Sequence, residues 1–571
     1  MIPAMSAPDI GHPPYEPAQI LSAPFHKRAE MACRTFAAQS PNSPAVMALY
    51  WIKYFVVFIG GWACWNLFNA DHPGILSPAE WAFTGTAFKK ALVWASFYEL
   101  AGFGCGWGPM NARVNPWFSA SRDWLRTGTT KLPLFHGVPL IGGDTRNFLD
   151  VGVYAAVQLT LLYALFQPEV TAAMLLPVVI LIPVMGILDK TLILAARYEH
   201  YTVALICLTF APDDNLWISA CKMVWSFIWF WAAASKLNHH FPGVIMVMMN
   251  NGPFFPKFLK NGLFKSYPDD LRPSRFAATM AHFGSATEFA IPVILYLSTG
   301  SLTLTVISLL VMTSFHGFIA LNNPNGMPIE WNILMIYGGW FLWGFGPAPE
   351  MSVFAVWQNL PLALFLCFTL IVVPTYGNFV PKHVSFLPSM RYYAGNWAYN
   401  VWLLRKDSDA AAKFDKLKKA STTVRQQFRQ VMPDDESVEV ACAMMMSSRF
   451  MHLQGRPLLE ALPQAVDNIE NYDWYEGELI GGMIIGWNFG DGHLNGKLAL
   501  RAIQPQCEFE PGECVVVSVE SQPLFMPHWD WEIHDAATGK FAEGRTMVHP
   551  KLEETPWPTG KWVEKLLAGR S

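Results

Sequence analysis

Charged residues are scarce in this chain of 571 residues, since Asp, Glu, Lys and Arg make up only 15% of it while hydrophobic residues make up 52%. A soluble domain carries about 25% charged residues, so lipid is the expected solvent for much of the chain. The deficit ends near Pro374, and the sequence after Lys382 has the charge content of a soluble domain. The composition therefore predicts a membrane domain followed by a soluble domain.

The features of several other protein classes are also missing. A net charge of -4 without an extended basic stripe gives no sign of a nucleic-acid partner. The nine cysteines include no C-x-x-C pair, so neither a zinc site nor a disulfide framework is expected. Cys507 and Cys514 could pair, but free thiols are favoured. The first 43 residues hold no apolar core of a cleavable signal, so the first spanning helix is expected to act as the insertion signal.

Long apolar runs occupy the first two thirds of the chain. A spanning helix needs about 20 such residues, and nine windows are candidates. They are 47–68, 81–103, 148–166, 170–188, 216–234, 286–299, 302–321, 328–345 and 352–373. A further run at 198–212 is short for a crossing and is expected to be tilted, broken or re-entrant. We therefore expect an α-helical polytopic membrane bundle of about 9–10 spanning or re-entrant helices.

The soluble part is predicted to begin after a proline-rich linker. A charged stretch at 406–429 favours a helix. Short β-rich runs follow, with 488–495 predicted as a hairpin turn between them. These runs are 478–486, 498–503, 514–519 and 529–534. The predicted layout is an N-terminal cytoplasmic tail at 1–45, a transmembrane domain at 46–375, a linker and charged helix at 376–430 and a mostly-β soluble domain at 431–571.

Basic residues are distributed unevenly among the predicted connections. If the 198–212 run crosses the membrane, the connections near Gln167, Asp213, Gly300 and Pro347 share one side and contain no Lys or Arg. Cytoplasmic connections carry an excess of Lys and Arg, so both termini are predicted to lie in the cytoplasm. The expected location is the plasma (inner) membrane of a bacterium, as a multi-pass protein.

Lys236 ends an apolar run, in the string Ala-Ala-Ser-Lys-Leu-Asn-His-His. An ammonium within a membrane helix costs at least about 2.5–3.5 kcal/mol, so the residue needs a reason to be there. One interpretation is a desolvated, neutral lysine that accepts a proton. The other is a side chain that extends from the helix end to the lipid headgroups, and position alone favours this second interpretation.

Other ionisable groups lie in apolar sequence. His200 and His316 are such cases, and a buried histidine either transfers protons or makes an interhelical hydrogen bond worth about 1 kcal/mol. Taken singly, each histidine favours the hydrogen bond. Glu288 lies within a predicted spanning segment, where a carboxylate usually faces a cavity and has a partner.

Three motifs occur in an order that resembles a known family. They are Tyr198-Glu199-His200-Tyr201 preceded by Asp189-Lys190, then Ser235-Lys236-Leu237-Asn238, and later Phe315-His316. Over about 148–375 they resemble vitamin K-dependent gamma-carboxylase and the wider family built on the horizontally transferred transmembrane domain. In length and layout the chain also resembles a bacterial transmembrane family of unassigned function.

The resemblance implies that Lys236 is a catalytic base that takes a proton from a quinol, with His200 beside it in one pocket. It implies that His316 lies near the same cavity and that a quinol is the molecule acted upon. Together with His316, we expect Glu199, Glu288 and Asn238 to bind the substrate. The chain departs from the carboxylase at Glu199, where that enzyme has Asn, and in its much shorter soluble part. Peptide recognition and glutamate carboxylation are therefore not implied.

The soluble domain contains one strictly alternating segment, at 528–534. As a strand it places His528, Asp530, Glu532 and His534 on one face. That set could bind a divalent metal, but alternation is ordinary for a strand with one solvated face. The solvated face is preferred, and no metal site is predicted.

We therefore predict an integral membrane protein that acts on a quinone-like or other lipophilic substrate through a buried lysine. The alternative is a non-enzymatic lipid-binding or scaffolding membrane protein. A transporter is disfavoured, because neither an inverted repeat nor a matched pair of Gly/Pro-broken helices is evident. The expected partners are membrane lipids and a lipophilic small molecule, and the sequence gives no oligomeric state.

Overall fold

The computed structural model describes residues 14–559 apart from 39–47, 49, 71, 105–118, 212, 253–254, 299, 323–328, 346–347, 420–422, 430–431, 433 and 488. Within these residues, five helices are long and apolar enough to cross a membrane. They are Phe148–Phe166, Asp214–Ala234, Arg275–Leu297, Leu302–Asn322 and Leu360–Phe379. Asp214–Ala234, here called the central helix, is 83% buried, whereas the other four are 28–39% buried. The central helix is therefore surrounded by protein, and the other four present apolar surface to lipid.

The remaining predicted crossings are helical but shorter or interrupted. Ala172–Leu188 is apolar and has 17 residues, and Gly85–Leu100 has 16. Other membrane-region helices are Ile52–Ile59 running into Gly60–Asn66, Pro78–Trp81, Ser119–Trp124, Lys190–Ala195, Phe241–Asn251, Lys257–Gly262, and Ile329–Gly339 running into Trp340–Gly344. The sequence predicts about 9–10 spanning or re-entrant helices, whereas the described residues contain five helices of full spanning length.

The short run at 198–212 is a broken helix. Arg197 has a left-handed backbone with φ 50°, a π-helical turn follows at Tyr198–Thr202, and a regular helix continues over Val203–Phe210. At 1.5 Å per residue the two pieces extend roughly 20 Å, which is less than the roughly 30 Å of a hydrocarbon core. The segment therefore lies buried among the other helices and does not cross by itself.

One predicted helix begins eleven residues earlier than expected, at Arg275 instead of Ala286. The Ser274 hydroxyl accepts a hydrogen bond from the Ala277 amide at 3.1 Å and caps the helix start. The apolar window missed this first part because Arg275 and His282 lie in it. The longer helix extends past Glu288 on both sides.

The C-terminal part contains a five-stranded antiparallel sheet, in addition to a small hairpin of β1 (Phe264–Ser266) and β2 (Asp270–Pro273). Its strands are β3 (Tyr399–Arg405), β4 (Tyr472–Glu476), β5 (Cys514–Val519), β6 (His528–Asp535) and β7 (Gly539–Met547), in the spatial order β4-β3-β5-β6-β7. Val517 pairs with Val401 on one side and with Ile533 on the other, so these three side chains form a buried row on one face. The predicted strands at 514–519 and 529–534 are confirmed.

The rest of the C-terminal part is helical, so the prediction of a mostly-β domain is wrong. Its helices are Ala410–Lys413, Val424–Arg429, Asp435–Met451, Pro457–Ala465, Gly477–Ile485, Gly492–Asn495, Lys497–Cys507 and Val548–Leu552. The predicted strands at 478–486 and 498–503 are helical, and the described residues 489–495 of the predicted hairpin turn include the short helix Gly492–Asn495. The predicted helix at 406–429 consists of short pieces after β3.

Local capping explains the first of these errors. The Glu476 carboxylate accepts hydrogen bonds from the amides of Glu478 and Leu479 at 2.7 and 3.3 Å, which caps a helix start. Gly486 ends that helix with φ 73°, a left-handed conformation that glycine adopts readily. A short apolar run does not distinguish a strand from a buried helix by its periodicity.

The segment predicted as an N-terminal tail forms two helices where it is described, Pro17–Ser22 and Phe25–Ala38. The second packs on the helix Asp435–Met451, and Arg28 forms an ion pair with Glu470 at 2.6 Å. The N-terminal helices and the C-terminal part are therefore packed against each other.

Candidate functional site

A cavity of about 590 Å³ lies where the end of the central helix meets the helices Phe241–Asn251, Arg275–Leu297, Leu302–Asn322 and Ile329–Gly339. Most of its lining is apolar or aromatic. Phe283, Ile307 and Leu310 line the cavity and are also 70%, 53% and 52% exposed. Because these residues belong to two helices that face lipid, the cavity opens laterally towards the bilayer.

The polar end of this cavity holds Lys236 and Glu288. Lys236 follows the end of the central helix, and its ammonium donates a hydrogen bond to the Glu288 carboxylate on the helix Arg275–Leu297. Each side chain is 4% exposed, so the pair is removed from solvent. The rings of Phe241 and Phe315 lie 5.0 and 5.6 Å from the Lys236 Nζ. Lys236 thus points into the protein, and its partner is a carboxylate and not a lipid headgroup.

His316 lies in the wall of the same cavity and is held by two neighbours. The Trp229 indole N–H donates to the His316 Nε2 at 2.9 Å, and the His316 Nδ1 lies 2.9 Å from the Asn332 Oδ1. An indole nitrogen can only donate, so Nε2 carries no proton and Nδ1 donates to Asn332. These contacts fix one neutral tautomer of His316 and orient its ring beside the Lys236–Glu288 pair.

The structure does not bring His200 to Lys236. His200 is buried, and its ring packs edge-to-face on Trp225 with the centroids 4.6 Å apart. Trp225 precedes Lys236 by eleven residues, which corresponds to roughly 16 Å along a helix, and His200 is not among the residues that line the cavity. The expected pairing of Lys236 with His200 is therefore replaced by the pairing of Lys236 with Glu288, with His316 nearby.

Glu199 does not line the cavity but contacts Tyr393, which does. The Arg197 Nε and the Tyr393 hydroxyl both donate to the Glu199 Oε1, at 2.7 and 3.2 Å, and the Arg197 Nη2 donates to the Tyr393 oxygen at 2.5 Å. Tyr393 lines the cavity while Glu199 does not. Sequence reasoning missed Tyr393, whose one signal is an aromatic pair after the last apolar run.

Asn238 binds the C-terminal part instead of the cavity. Its side-chain amide donates to the carbonyl oxygens of Gln522 and Pro523 at 3.2 and 3.3 Å, and its Oδ1 accepts from the Phe525 amide at 2.9 Å. Asn396 holds Gln522 by two further hydrogen bonds, of 3.0 and 3.2 Å. These hydrogen bonds hold the segment 522–525, which leads from β5 to β6, against Asn238, two residues after Lys236 in the chain.

Comparison with known proteins identifies the family. Residues 6–565 match a family described as transmembrane protein of unknown function, DUF3556. The chain belongs to this family. No curated protein and no solved structure matches it. The matched range contains the residues of the apolar helices, of the cavity and of the C-terminal sheet.

The alternating strand β6 of this DUF3556 protein pairs its charged side chains with other charged side chains. Glu532 contacts His534 and Lys497, each at 2.9 Å, and Asp530 contacts Arg545 at 2.7 Å. Among the residues that the structure describes, no three His, Cys, Asp or Glu side chains are grouped as a metal site. The face of β6 on which the sequence places four possible metal ligands therefore forms ion pairs.

Proposed function

We propose that this DUF3556 protein takes a lipophilic molecule with a hydroxyl-bearing ring, of the quinol class, from the bilayer and exchanges a proton with that hydroxyl. The observation that carries the proposal is the buried Lys236–Glu288 pair at the polar end of an otherwise apolar cavity that opens towards lipid. A volume of about 590 Å³ is within the range of small-molecule sites. Such sites use few polar groups to orient a largely apolar ligand.

The chemistry follows from the pair. In a site without water, the ammonium–carboxylate form of Lys236 and Glu288 and its neutral amine–acid form differ by the position of one proton. In the neutral form the Lys236 amine accepts the proton of a ligand hydroxyl, the O–H bond breaks, and the resulting ammonium stabilises the ligand oxyanion. Glu288 holds the other proton and can return it. The resemblance to the gamma-carboxylase family supports the assignment of Lys236 as the base.

Two cavity groups fit roles in orienting such a ring. The Tyr393 hydroxyl is held by Arg197 and Glu199, and Tyr393 lines the cavity. The fixed tautomer of His316 keeps its ring in place beside Lys236. Groups held in this way lose little freedom when a ligand binds.

Extraction of the bound lipid tests the proposal. The full chain is purified in mild detergent, and the extracted lipids are counted by mass spectrometry. We expect about one quinone per chain, and a bound phospholipid in its place would contradict the proposed substrate class. Gly284→Trp fills the cavity, because Gly284 lines it, and should abolish the bound quinone. Ala286→Trp is the matched control, because Ala286 lies on the exposed side of the same helix, and should retain it.

A second candidate is a non-enzymatic lipid-binding protein, which the lateral opening at Phe283, Ile307 and Leu310 favours. In that case the Lys236–Glu288 pair binds a lipid headgroup without transferring a proton. A stoichiometric phospholipid in the same extraction, lost in Gly284→Trp and kept in Ala286→Trp, would support it.

We also propose that the N-terminal helices and the C-terminal part lie in the cytoplasm and that the membrane is the plasma (inner) membrane of a bacterium. The uneven distribution of Lys and Arg supports this orientation. A cysteine-reactive, membrane-impermeant label on a single engineered cysteine in the exposed β7 should react only in inverted vesicles, and labelling of intact cells would contradict the orientation.

A further inference from the structure

A second cavity, of about 1,210 Å³, lies between the membrane helices and the C-terminal sheet. One wall is apolar and comes from the membrane region, with Pro183, Ile187, Ile193 and Leu194. The opposite wall is polar and comes from the C-terminal part, with His493, Glu520 and Arg545 among its residues. The cavity is thus amphipathic, with its apolar side next to the bilayer.

The acidic residues of the polar wall already have partners. Glu520 contacts His493 at 2.7 Å, Glu532 contacts Lys497 at 2.9 Å, Asp530 contacts Arg545 at 2.7 Å and Glu543 contacts Lys540 at 2.6 Å. The Asp491 carboxylate accepts hydrogen bonds from the Ser385 hydroxyl and the His493 amide. The carboxylates of this wall are therefore engaged by nearby donors and cations.

Two cationic side chains of the lining have no ion-pair partner among the described carboxylates. Lys190 and Lys382 both line the cavity, and none of the described carboxylates lies within ion-pair distance of either one. Asp189, next to Lys190, is paired with Arg146. Burial and the nearby Arg501 lower the pKa of Lys190, and the attraction of Asp491 offsets this only in part.

The two lysines also lie at membrane boundaries. Lys190 follows the apolar helix Ala172–Leu188, and Lys382 follows the last candidate span, Leu360–Phe379. Both side chains reach the same cavity, so both helix ends lie at one face of the membrane, where lipid headgroups lie. Ammonium groups at this level attract anionic headgroups.

We propose that this second cavity binds a phosphate group between Lys190 and Lys382, with the apolar chain of an anionic amphiphile along the Pro183–Leu194 wall. The shared chemistry is a phosphate ester, which a phospholipid headgroup or a soluble phosphate compound could supply. Lysine ammonium groups bind phosphate as point charges with hydrogen-bond donors. This site is separate from the cavity at Lys236 and does not depend on the function proposed for it.

Titration of the purified full chain with short-chain lipids, followed by native mass spectrometry, tests the site. Dioctanoyl phosphatidylglycerol should bind more tightly than dioctanoyl phosphatidylcholine. The double variant Lys190→Gln/Lys382→Gln should bind phosphatidylglycerol about thirtyfold more weakly, or about fivefold for each lysine. Lys497→Gln is the matched control, because Lys497 lines the same cavity but is paired with Glu532, and should bind as the unmodified chain does.

The outcomes separate the possible sources of the phosphate. If inorganic phosphate raises the thermal stability of the unmodified chain more than chloride at equal ionic strength, and phosphatidylglycerol does not bind, the ligand is a soluble phosphate. Equal binding of phosphatidylglycerol by the double variant and the unmodified chain would overturn the proposal, as would no binding of either probe. If the double variant does not fold, the single variant Lys382→Gln at an exposed position should still show the fivefold loss, and Lys382→Arg should show none.

Discussion

Replacing Lys236 by Met should destabilise the protein strongly, because the Glu288 carboxylate stays buried without its counter-ion. The 4% exposure of both side chains leaves no route to water for either charge. If Glu288 then takes up a proton on folding, the cost at pH 7 is about 3.7 kcal/mol, since an ordinary carboxyl has a pKa of about 4.3 and each pH unit is worth about 1.36 kcal/mol. This agrees with the loss of about 3–5 kcal/mol that breaking a buried ion pair causes.

The reverse variant, Glu288→Gln, leaves a buried ammonium. Loss of its proton at pH 7 costs about 4.6 kcal/mol, since an ordinary lysine has a pKa of about 10.4. The double variant Lys236→Met/Glu288→Gln has no buried charge at this site and should be close to the unmodified chain in stability, because neutral replacement of a buried pair is often neutral or stabilising. The coupling between the two substitutions is therefore expected to be several kcal/mol, far above the about 0.5–3 kcal/mol usual for neighbouring residues.

The dependence on pH distinguishes the two single variants. In Lys236→Met the folded state binds one proton more than the unfolded state, so its stability should rise as the pH falls, by about 2 kcal/mol between pH 7 and 5.5. In Glu288→Gln the folded state binds one proton fewer, so its stability should rise as the pH rises.

The assay is reversible unfolding in mixed micelles of a mild detergent and dodecyl sulfate, followed by tryptophan fluorescence. Lys497→Met, which breaks a partly exposed ion pair, should lose less than about 1 kcal/mol and serves as the control. Additive effects of Lys236→Met and Glu288→Gln, or single variants as stable as the unmodified chain, would refute the buried pair and with it the proposed proton exchange.

Three further outcomes are expected in the purified chain. Burial alone would raise the pKa of Glu520 and lower that of His493, but their contact lowers the pKa of Glu520 to about 2 and raises the pKa of His493. The loss of thermal stability in Glu520→Gln should therefore be largest between about pH 4.5 and 6.5 and should shrink below and above that window. The reason is that the Glu520 contribution is lost as the pH falls and the His493 contribution is lost as the pH rises. Asn238→Ala removes the part-buried hydrogen bond from the Phe525 amide, at a cost of about 0.5–1.5 kcal/mol, and should speed hydrogen exchange at 522–525; unchanged exchange there would contradict the contact. Trp229→Phe removes the donor to the His316 Nε2 and should cost about 1–3 kcal/mol, and a fully stable variant would show that the tautomer is not fixed in this way.

The C-terminal part has a structural role at the cavity that its sequence does not suggest. The segment 522–525 is held by Asn238 and Asn396, and Glu520 at the start of this connection lines the second cavity. A displacement of the sheet would therefore be transmitted to the backbone beside Lys236. The C-terminal part of this DUF3556 protein is thus attached directly to the backbone beside Lys236.

The sequence by itself indicated the apolar part of the chain, and five of its predicted windows overlap the five candidate spans, because the preference of a residue for lipid or water is local and adds up along a helix. It also identified Lys236, Glu288 and His316 as costly residues in apolar surroundings. It failed at 478–485, where the type of element depends on the Glu476 cap and the left-handed Gly486 and not on the apolar run between them.

Only the tertiary structure decided the partners. Lys236 and Glu288 are 52 residues apart, and Asn238 and Phe525 are 287 apart, so no helical or strand periodicity relates the two members of either pair. His200 lies in a motif that predicts a partner for Lys236. Its ring packs instead on Trp225, eleven residues before Lys236 along the chain, and therefore lies away from the Lys236 side chain. A buried charge requires a neighbour in space, and that neighbour is set by the packing of helices and not by the order of residues along the chain.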